Sequence, residues 1–293
     1  LGIAVVSRMG ADMFSRRVGL VAAVLLATST FYLHYLYEGR GYTLYVLLSA
    51  STVYLYWRLL QHEDSKPSWL LQIGFVLNAS ALIYTHYIAA ATFGVLGIHF
   101  LFIMDREYTH RLRIFWLLVA VVLSYTPWLA VTILAVIARS NLNQGWDSFT
   151  VLLKMFDGFS NGMWPYLLLA LLYAGAMVRT GAARFVGFWL ITATALALIF
   201  NTITEFIFNI RHVLTVLPAI VLLIALALDD VARRVNGVAG VGLLALWIVV
   251  GMWHYAEPMA FNDRMEQVDK MAYAESYAAF DIAETCTADT DLL

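Results

Sequence analysis

The chain alternates long apolar stretches with short polar clusters. From Leu1 to Leu293, its longest interval without Asp, Glu, Lys or Arg lies between Lys66 and Asp105, 38 residues. As continuous helix it would measure about 57 Å, nearly twice a hydrocarbon core of about 30 Å. Such a stretch must fold back on itself, and the polar break Thr85-His86-Tyr87 near its middle predicts a tight turn between two spans. Other charge-free windows fall at 18–37, 41–57, 114–138, 158–178, 185–204, 212–228 and 235–256, each near the roughly 20 residues a helix needs to cross a bilayer. With the long window divided, about nine spans are expected. A closed β-barrel would alternate apolar and polar positions, whereas Val213 to Leu228 is apolar at nearly every one. The expected fold class is therefore an all-α polytopic membrane protein, with residues 1–256 forming a transmembrane helix bundle. Leu1 to Val6 has the texture of the tail of a span begun upstream, without a basic n-region and cleavage site.

Composition changes this picture little. Apolar residues make up 62% and charged residues 13%, and the mean hydropathy is +0.76, too apolar for a soluble domain of this length. A formal charge of −2 gives no basic face for nucleic acid. The single cysteine, Cys286, allows no internal disulfide, and no His or Cys pair has metal-ligand spacing, so no cofactor is assigned and metal dependence has no motif to argue from. No glycine-rich phosphate loop or Ser-His-Asp arrangement stands out.

Charge distribution gives an orientation. Of eighteen Lys and Arg residues, twelve fall on one set of alternate connections: Arg8, Arg16, Arg17, Arg58, Lys66, Arg106, Arg111, Arg113, Arg179, Arg184, Arg233 and Arg234. Six fall on the other: Arg40, Arg139, Lys154, Arg211, Arg264 and Lys270. The first set is expected to be cytoplasmic, which puts the N-terminus inside and the segment 257–293 outside. The inner clusters, Asp105-Arg106-Glu107 and Asp229-Asp230 with Arg233-Arg234, read as solvated caps. The outer connections mix aromatic, acidic and basic residues: Tyr35 to Tyr42 (YLYEGRGY), then His86-Tyr87, then Glu205 through Arg211-His212. That mixture suits an anionic lipid headgroup carrying a sugar, because Arg clamps phosphate, carboxylates accept hydroxyl protons and rings stack on apolar sugar faces. An aromatic belt with charged caps would look similar. The 139–162 connection is longer than a hairpin needs. Its stretch Phe149 to Phe156 predicts an interfacial helix with Phe149, Leu152, Leu153 and Phe156 on one face, either a surface helix or a lid.

Four motifs, taken in order, resemble the GT-C superfamily of membrane glycosyltransferases, in the branch of dolichyl-phosphate-mannose protein mannosyltransferases and the lipid A aminoarabinose transferase. Phe14 to Gly19 (FSRRVG) resembles the basic turn after that family's second span, and Tyr35 to Tyr42 its outer Tyr-Glu-Arg-Tyr motif. Leu82 to Tyr87 (LIYTHY) is similar to a recurring hairpin, and Asn209 to Ala219 (NIRHVLTVLPA) to the approach to a late span, with His212 where Tyr is usual. The resemblance implies a GT-C-type bundle truncated at both ends, with 257–293 as the start of an extracytoplasmic C-terminal segment. It implies transfer of a sugar from a polyprenyl-phosphate donor to a lipid, glycan or protein acceptor at the extracytoplasmic face of a bacterial or archaeal plasma membrane. The acidic general base of such enzymes would precede Leu1, so the catalytic residue is unassigned here. Arg40 and Arg211 are the expected phosphate clamps, Glu38 an orienter of Arg40 or of the acceptor, and His86 and His212 polar contacts. A secondary transporter or lipid flippase, with ionisable sites at the midplane, is the alternative, and a scaffold packing partners on faces such as Gly237 to Gly242 is a third.

Overall fold

A computed structural model describes residues 1–37, 41–61, 68–85, 87–104, 110–140, 146–176, 180–204, 207 and 210–256. Glu38, Arg40 and His86, the caps at 105–107 and the segment 257–293 lie outside the described residues. All regular structure among the described residues is helical. In chain order the helices are α1 (Gly2–Met13), α2 (Arg16–Ala27), α3 (Thr30–Tyr37), α4 (Tyr42–Leu60), α5 (Trp69–Thr85) and α6 (Ala90–Ile98). They continue with α7 (Arg111–Ser140), α8 (Ser148–Phe159), α9 (Trp164–Ala176), α10 (Gly181–Thr204), α11 (Leu217–Arg234) and α12 (Gly237–Ala256). The long apolar stretch does fold back: α5 stops at Thr85, and a 3-10 turn, Tyr87–Ala89, leads into α6. Two compact units are distinguished, Leu1–Met252 and Trp253–Leu293. Of the second, only the closing turn of α12 is described.

Each of the nine windows holds a helix or a helix pair, but the nine-span count is not confirmed. Among the described residues, four helical stretches are long and apolar enough to cross a membrane, namely Arg111–Leu134, Gly181–Ile203, Ile210–Arg234 and Gly237–Tyr255. A fifth results if α2 and α3, bent by 61° at their junction, are taken as one span. Helix α5 has 17 residues, about 26 Å of rise, and α6 and α9 are shorter still. Helix α4 has 19 residues but carries Tyr45, Ser49, Thr52 and Tyr56 inward and Arg58 in its last turn, which lowers its apolarity.

Contacts fix the alternation of direction. Helix α6 runs antiparallel to α10, with Gly94 against Leu196 and the His99 ring 5.3 Å from Phe185. Helices α5 and α7 are parallel, with Ser80 Oγ 2.7 Å from Ser124 Oγ and Tyr84 stacked edge-on to Tyr125. Helix α1 lies parallel to α4, with Gly2 near Leu47 at one end and Asp12 accepting from Tyr54 and Arg58 at the other. The described arginines of the first charge set, including Arg8, Arg58, Arg233 and Arg234, thus gather at one end of the bundle, and Arg211 sits at the opposite end. Asp229 and Asp230 are buried at that first end, 5% and 7% exposed, rather than solvated. Tyr173 donates to Asp230 at 2.8 Å, Arg234 pairs with Asp230 at 2.6 Å, and Arg233 pairs with Asp229. The arginines stay exposed and only the carboxylates are drawn in.

The central post is the segment 210–234: 94% of its apolar stretch is buried, against 11% for Arg111–Leu134 and 17% for Gly237–Tyr255. Those peripheral helices turn bulky side chains such as Leu123, Leu134, Val238 and Trp253 outward, which a hydrocarbon surround accepts without penalty. Helices α1 and α2 cross backbone to backbone at Gly10 and Gly19. A Cβ on Gly10 would lie 2.8 Å from Gly19 Cα, so only glycines permit the approach.

The break between α2 and α3 is the other feature that positions the end carrying Arg211. It would leave backbone groups without partners inside the bundle, a serious cost in apolar surroundings. Asn161 meets it: its Oδ1 accepts the Thr30 amide at 2.9 Å and its Nδ2 faces the Thr28 carbonyl at 3.4 Å. Thr30 Oγ1 donates to the Gly251 carbonyl at 2.9 Å. Asn161 stands in the left-handed region, φ 57°, the conformation Asn tolerates best after Gly.

Candidate functional site

Pro218 near the start of α11 shapes the site. It cannot donate a helical hydrogen bond and disfavours α geometry in the residue before it, and the chain approaches α11 through a 3-10 segment, Ile210–Val216, with all seven residues buried. Two anchors hold it. Tyr45 of α4 donates to the His212 carbonyl at 3.4 Å. One turn deeper, Ser49 Oγ lies 2.7 Å from Thr215 Oγ1 and 3.3 Å from its carbonyl oxygen, and Thr92 of α6 bonds to both hydroxyls. Of these, the Ser49 hydroxyl meets a backbone acceptor, the Thr215 carbonyl, and the others tie the segment to α4 and α6 side chain to side chain.

The segment carries Arg211 and His212, 7% and 4% exposed. A guanidinium this enclosed is costly in an apolar bundle and marks a site where an anion could be met. Its Cζ lies 5.4 Å from the centroid of the Tyr42 ring. Tyr42 in turn lies 5.2 Å from Tyr35, Tyr35 lies 4.8 Å from Phe31, and Phe31 lies 5.1 Å from Phe159 of α8, all edge to face. The YLYEGRGY stretch and the NIRHVLTVLPA stretch therefore meet at one end of the bundle, through Tyr42 and Arg211.

Helix α8 borders the site, and the apolar stripe expected from sequence lies on its less buried side, as in a surface helix. Its buried face is Val151, Met155, Gly158 and Phe159, whereas Phe149 and Leu153 point outward. Leu152, Leu153 and Phe156 instead line an apolar groove of about 390 Å³ with Trp164 and Leu168 of α9. Both faces of α8 are apolar, and packing against Phe31 selects the one carrying Phe159. The helix is capped by Asp147, which accepts from the amides of Phe149 and Thr150 at 3.0 Å. The Thr150 hydroxyl first, then those amides, holds the Asp147 carboxyl below the usual carboxylate range. Asn201 of α10 ties the start of α8 to the chain leading to Arg211. Its Nδ2 donates to the Trp146 carbonyl at 2.8 Å, and its Oδ1 accepts the Ile207 amide at 2.6 Å.

Of the five binding residues expected from sequence, Arg211 and His212 are described and neighbours in one buried segment; Glu38, Arg40 and His86 fall outside the described residues. Tyr35 and Tyr42 belong to the motif that flagged this end, yet their link to Arg211 has no sequence signal. Nor do Ser49, Thr92 and Thr215 announce themselves within charge-free windows. Among the described residues, no group of three His, Cys, Asp or Glu side chains could hold a metal ion.

The family model described as Dolichyl-phosphate-mannose-protein mannosyltransferase, in the GT-C superfamily, matches residues 1–131. That stretch runs from α1 into α7 and includes three of the four quoted motifs, so the resemblance holds at family level. It supports a membrane glycosyltransferase role; the Arg211 segment lies beyond the matched residues. No curated protein and no solved structure matches the chain.

Proposed function

We propose that this membrane glycosyltransferase chain takes its sugar from a polyprenyl-phosphate donor and passes it to a lipid, glycan or protein acceptor at the extracytoplasmic face of a bacterial or archaeal plasma membrane. The observation that carries the reading is Arg211, a guanidinium 7% exposed, at the end of the bundle opposite the first arginine set. In this proposal Arg211 contacts the donor phosphate, with His212 and the sequence candidates Glu38, Arg40 and His86 supplying the polar surround. In the reaction, the acceptor oxygen forms a bond to the anomeric carbon, the bond from that carbon to the phosphate oxygen breaks, and polyprenyl phosphate departs with one further negative charge. The acceptor proton passes to a general base, a role to which no residue is assigned here. Arginine near the leaving phosphate favours departure because the attraction grows as that charge develops.

The bent α2–α3 pair is the one observation that favours a transporter, since broken helices often line ion paths. Its backbone groups are taken up by Asn161, and the Thr30 hydroxyl by the Gly251 carbonyl, which supports a structural role for the break. The test is binding of a fluorescent short-chain polyprenyl phosphate to the full-length protein in nanodiscs. Arg211→Ala should weaken binding by about tenfold or more, as for the loss of a charge-assisted hydrogen bond, and Arg211→Lys should recover part of it. Equal affinity for Arg211→Ala and the parent would remove the donor from this site.

A further inference from the structure

Resting on the reading of Arg211 as a phosphate contact, we propose that Tyr42 is a positioning residue: its ring, braced by Tyr35, sets the guanidinium in place for the donor and ties that placement to the seating of α8. Four observations carry this. The Arg211 Cζ stands 5.4 Å from the Tyr42 centroid, within range of an attraction between cation and ring face that strengthens where water is excluded. The 3-10 segment fixes the Arg211 backbone through Tyr45, Ser49 and Thr92, and the Tyr42 ring bears on the guanidinium at the far end of the side chain. Tyr35 is 4% exposed and meets Tyr42 at 69° and Phe31 at 67°, an arrangement that resists sliding of either ring. Finally, Phe31 meets Phe159, the last residue of α8, so the ladder spans α4, α3 and α8.

Binding energy is best conserved when the receiving group is already in position, since ordering a long side chain on binding has an entropic cost. Losing the ring should therefore appear as weaker donor binding, at unchanged fold stability. A phenylalanine keeps the ring face and should restore the parent behaviour, which separates positioning by the ring from any role of the hydroxyl.

The experiment compares Tyr42→Leu, Tyr42→Phe, Tyr35→Leu and Arg211→Ala in full-length protein in nanodiscs. It reads fluorescent polyprenyl phosphate affinity, the KM and kcat for donor turnover, and the melting temperature. Tyr42→Leu is expected to weaken binding about five- to thirtyfold, the range of a partly to fully desolvated cation–ring contact. The loss should appear in kcat/KM, because the guanidinium acts on the departing phosphate as well as on the bound donor, with Tyr42→Phe within about twofold of the parent and no added loss when Tyr42→Leu is combined with Arg211→Ala. Tyr35→Leu should give a smaller shift in the same direction. If Arg211→Ala weakens binding but Tyr42→Leu does not, the positioning role is overturned while the phosphate contact stands. If neither does, the phosphate contact itself fails. If Tyr42→Leu lowers the melting temperature in step with affinity, or Tyr42→Phe fails to rescue, the ring acts as packing or through its hydroxyl and the proposal is overturned.

Discussion

Replacing Asn161 should separate two contributions that the α2–α3 break combines. Asn161 is fully buried, its Oδ1 holds the Thr30 amide at 2.9 Å, and its backbone is left-handed at φ 57°. Asn161→Gly keeps that conformation accessible and removes the acceptor. An orphaned buried amide costs about 1–3 kcal/mol, and the weaker contact to the Thr28 carbonyl adds little. Asn161→Ala loses the same hydrogen bonds and keeps a Cβ in the left-handed region without the polar side chain that eases Asn there, about 1–2 kcal/mol worse than Gly. The expected order is thus parent, then Gly, then Ala. Gly251 permits the close approach of α12, since a Cβ there would lie 2.6 Å from Asn161 Nδ2 and closer still to the Thr28 carbonyl. The assay is equilibrium unfolding in mixed micelles with increasing SDS, followed by tryptophan fluorescence. A Gly variant as stable as the parent would show that the Thr30 amide needs no side-chain acceptor, and Ala and Gly variants of equal stability would refute the backbone argument.

Gly19→Ala should destabilise by more than the 1–3 kcal/mol of ordinary overpacking, because its Cβ would meet α1 backbone at Ala11 N, 2.8 Å away. Gly74→Ala, with nothing within 4 Å, should instead be neutral or stabilising by up to about 1 kcal/mol; the same SDS titration compares them, and equal effects would remove the close crossing. For Asp147 the folded carboxyl is held below its ordinary value. Its stabilising contribution is therefore present above the unfolded value of about 3.9 and is lost as pH falls through the lower folded value. Melting curves from pH 5 down to pH 3 should show the parent losing more stability than Asp147→Asn, and parallel curves would contradict the capping role. Ser49→Ala should cost about 1–3 kcal/mol in the same titration by leaving the Thr215 and Thr92 hydroxyls short of a partner, and no loss would show that the cluster is dispensable to the 3-10 segment.

Particular elements show what could be read in advance. The fold-back at Thr85 was legible because no single helix can bury 38 charge-free residues in one crossing. Arg211 was legible as a candidate because a guanidinium beside an apolar run is costly and therefore conspicuous. The number of spans is less legible, since α5, α6 and α9 as described are shorter than a full crossing. The stripe of Phe149, Leu152, Leu153 and Phe156 was legible, but not that Val151, Met155 and Phe159 form the buried face. Helical periodicity gives the stripes and not the neighbour. Asp229 and Asp230 were misread as solvated caps because exposure depends on Tyr173, more than fifty residues away in sequence.

By itself, then, the sequence determined the class, the helical windows, the charge asymmetry and the end of the bundle where aromatic and basic residues mix. These follow from transfer free energies that act residue by residue. Only the tertiary structure decided that Tyr42 stacks on Arg211, that Asn161 closes the α2–α3 break, and that three hydroxyls from α4, α6 and the 3-10 segment converge. Such pairings depend on which helices become neighbours. In an apolar surround, helix packing is set by close fit and by satisfying each buried polar group, and both are properties of the assembled bundle rather than of any one segment.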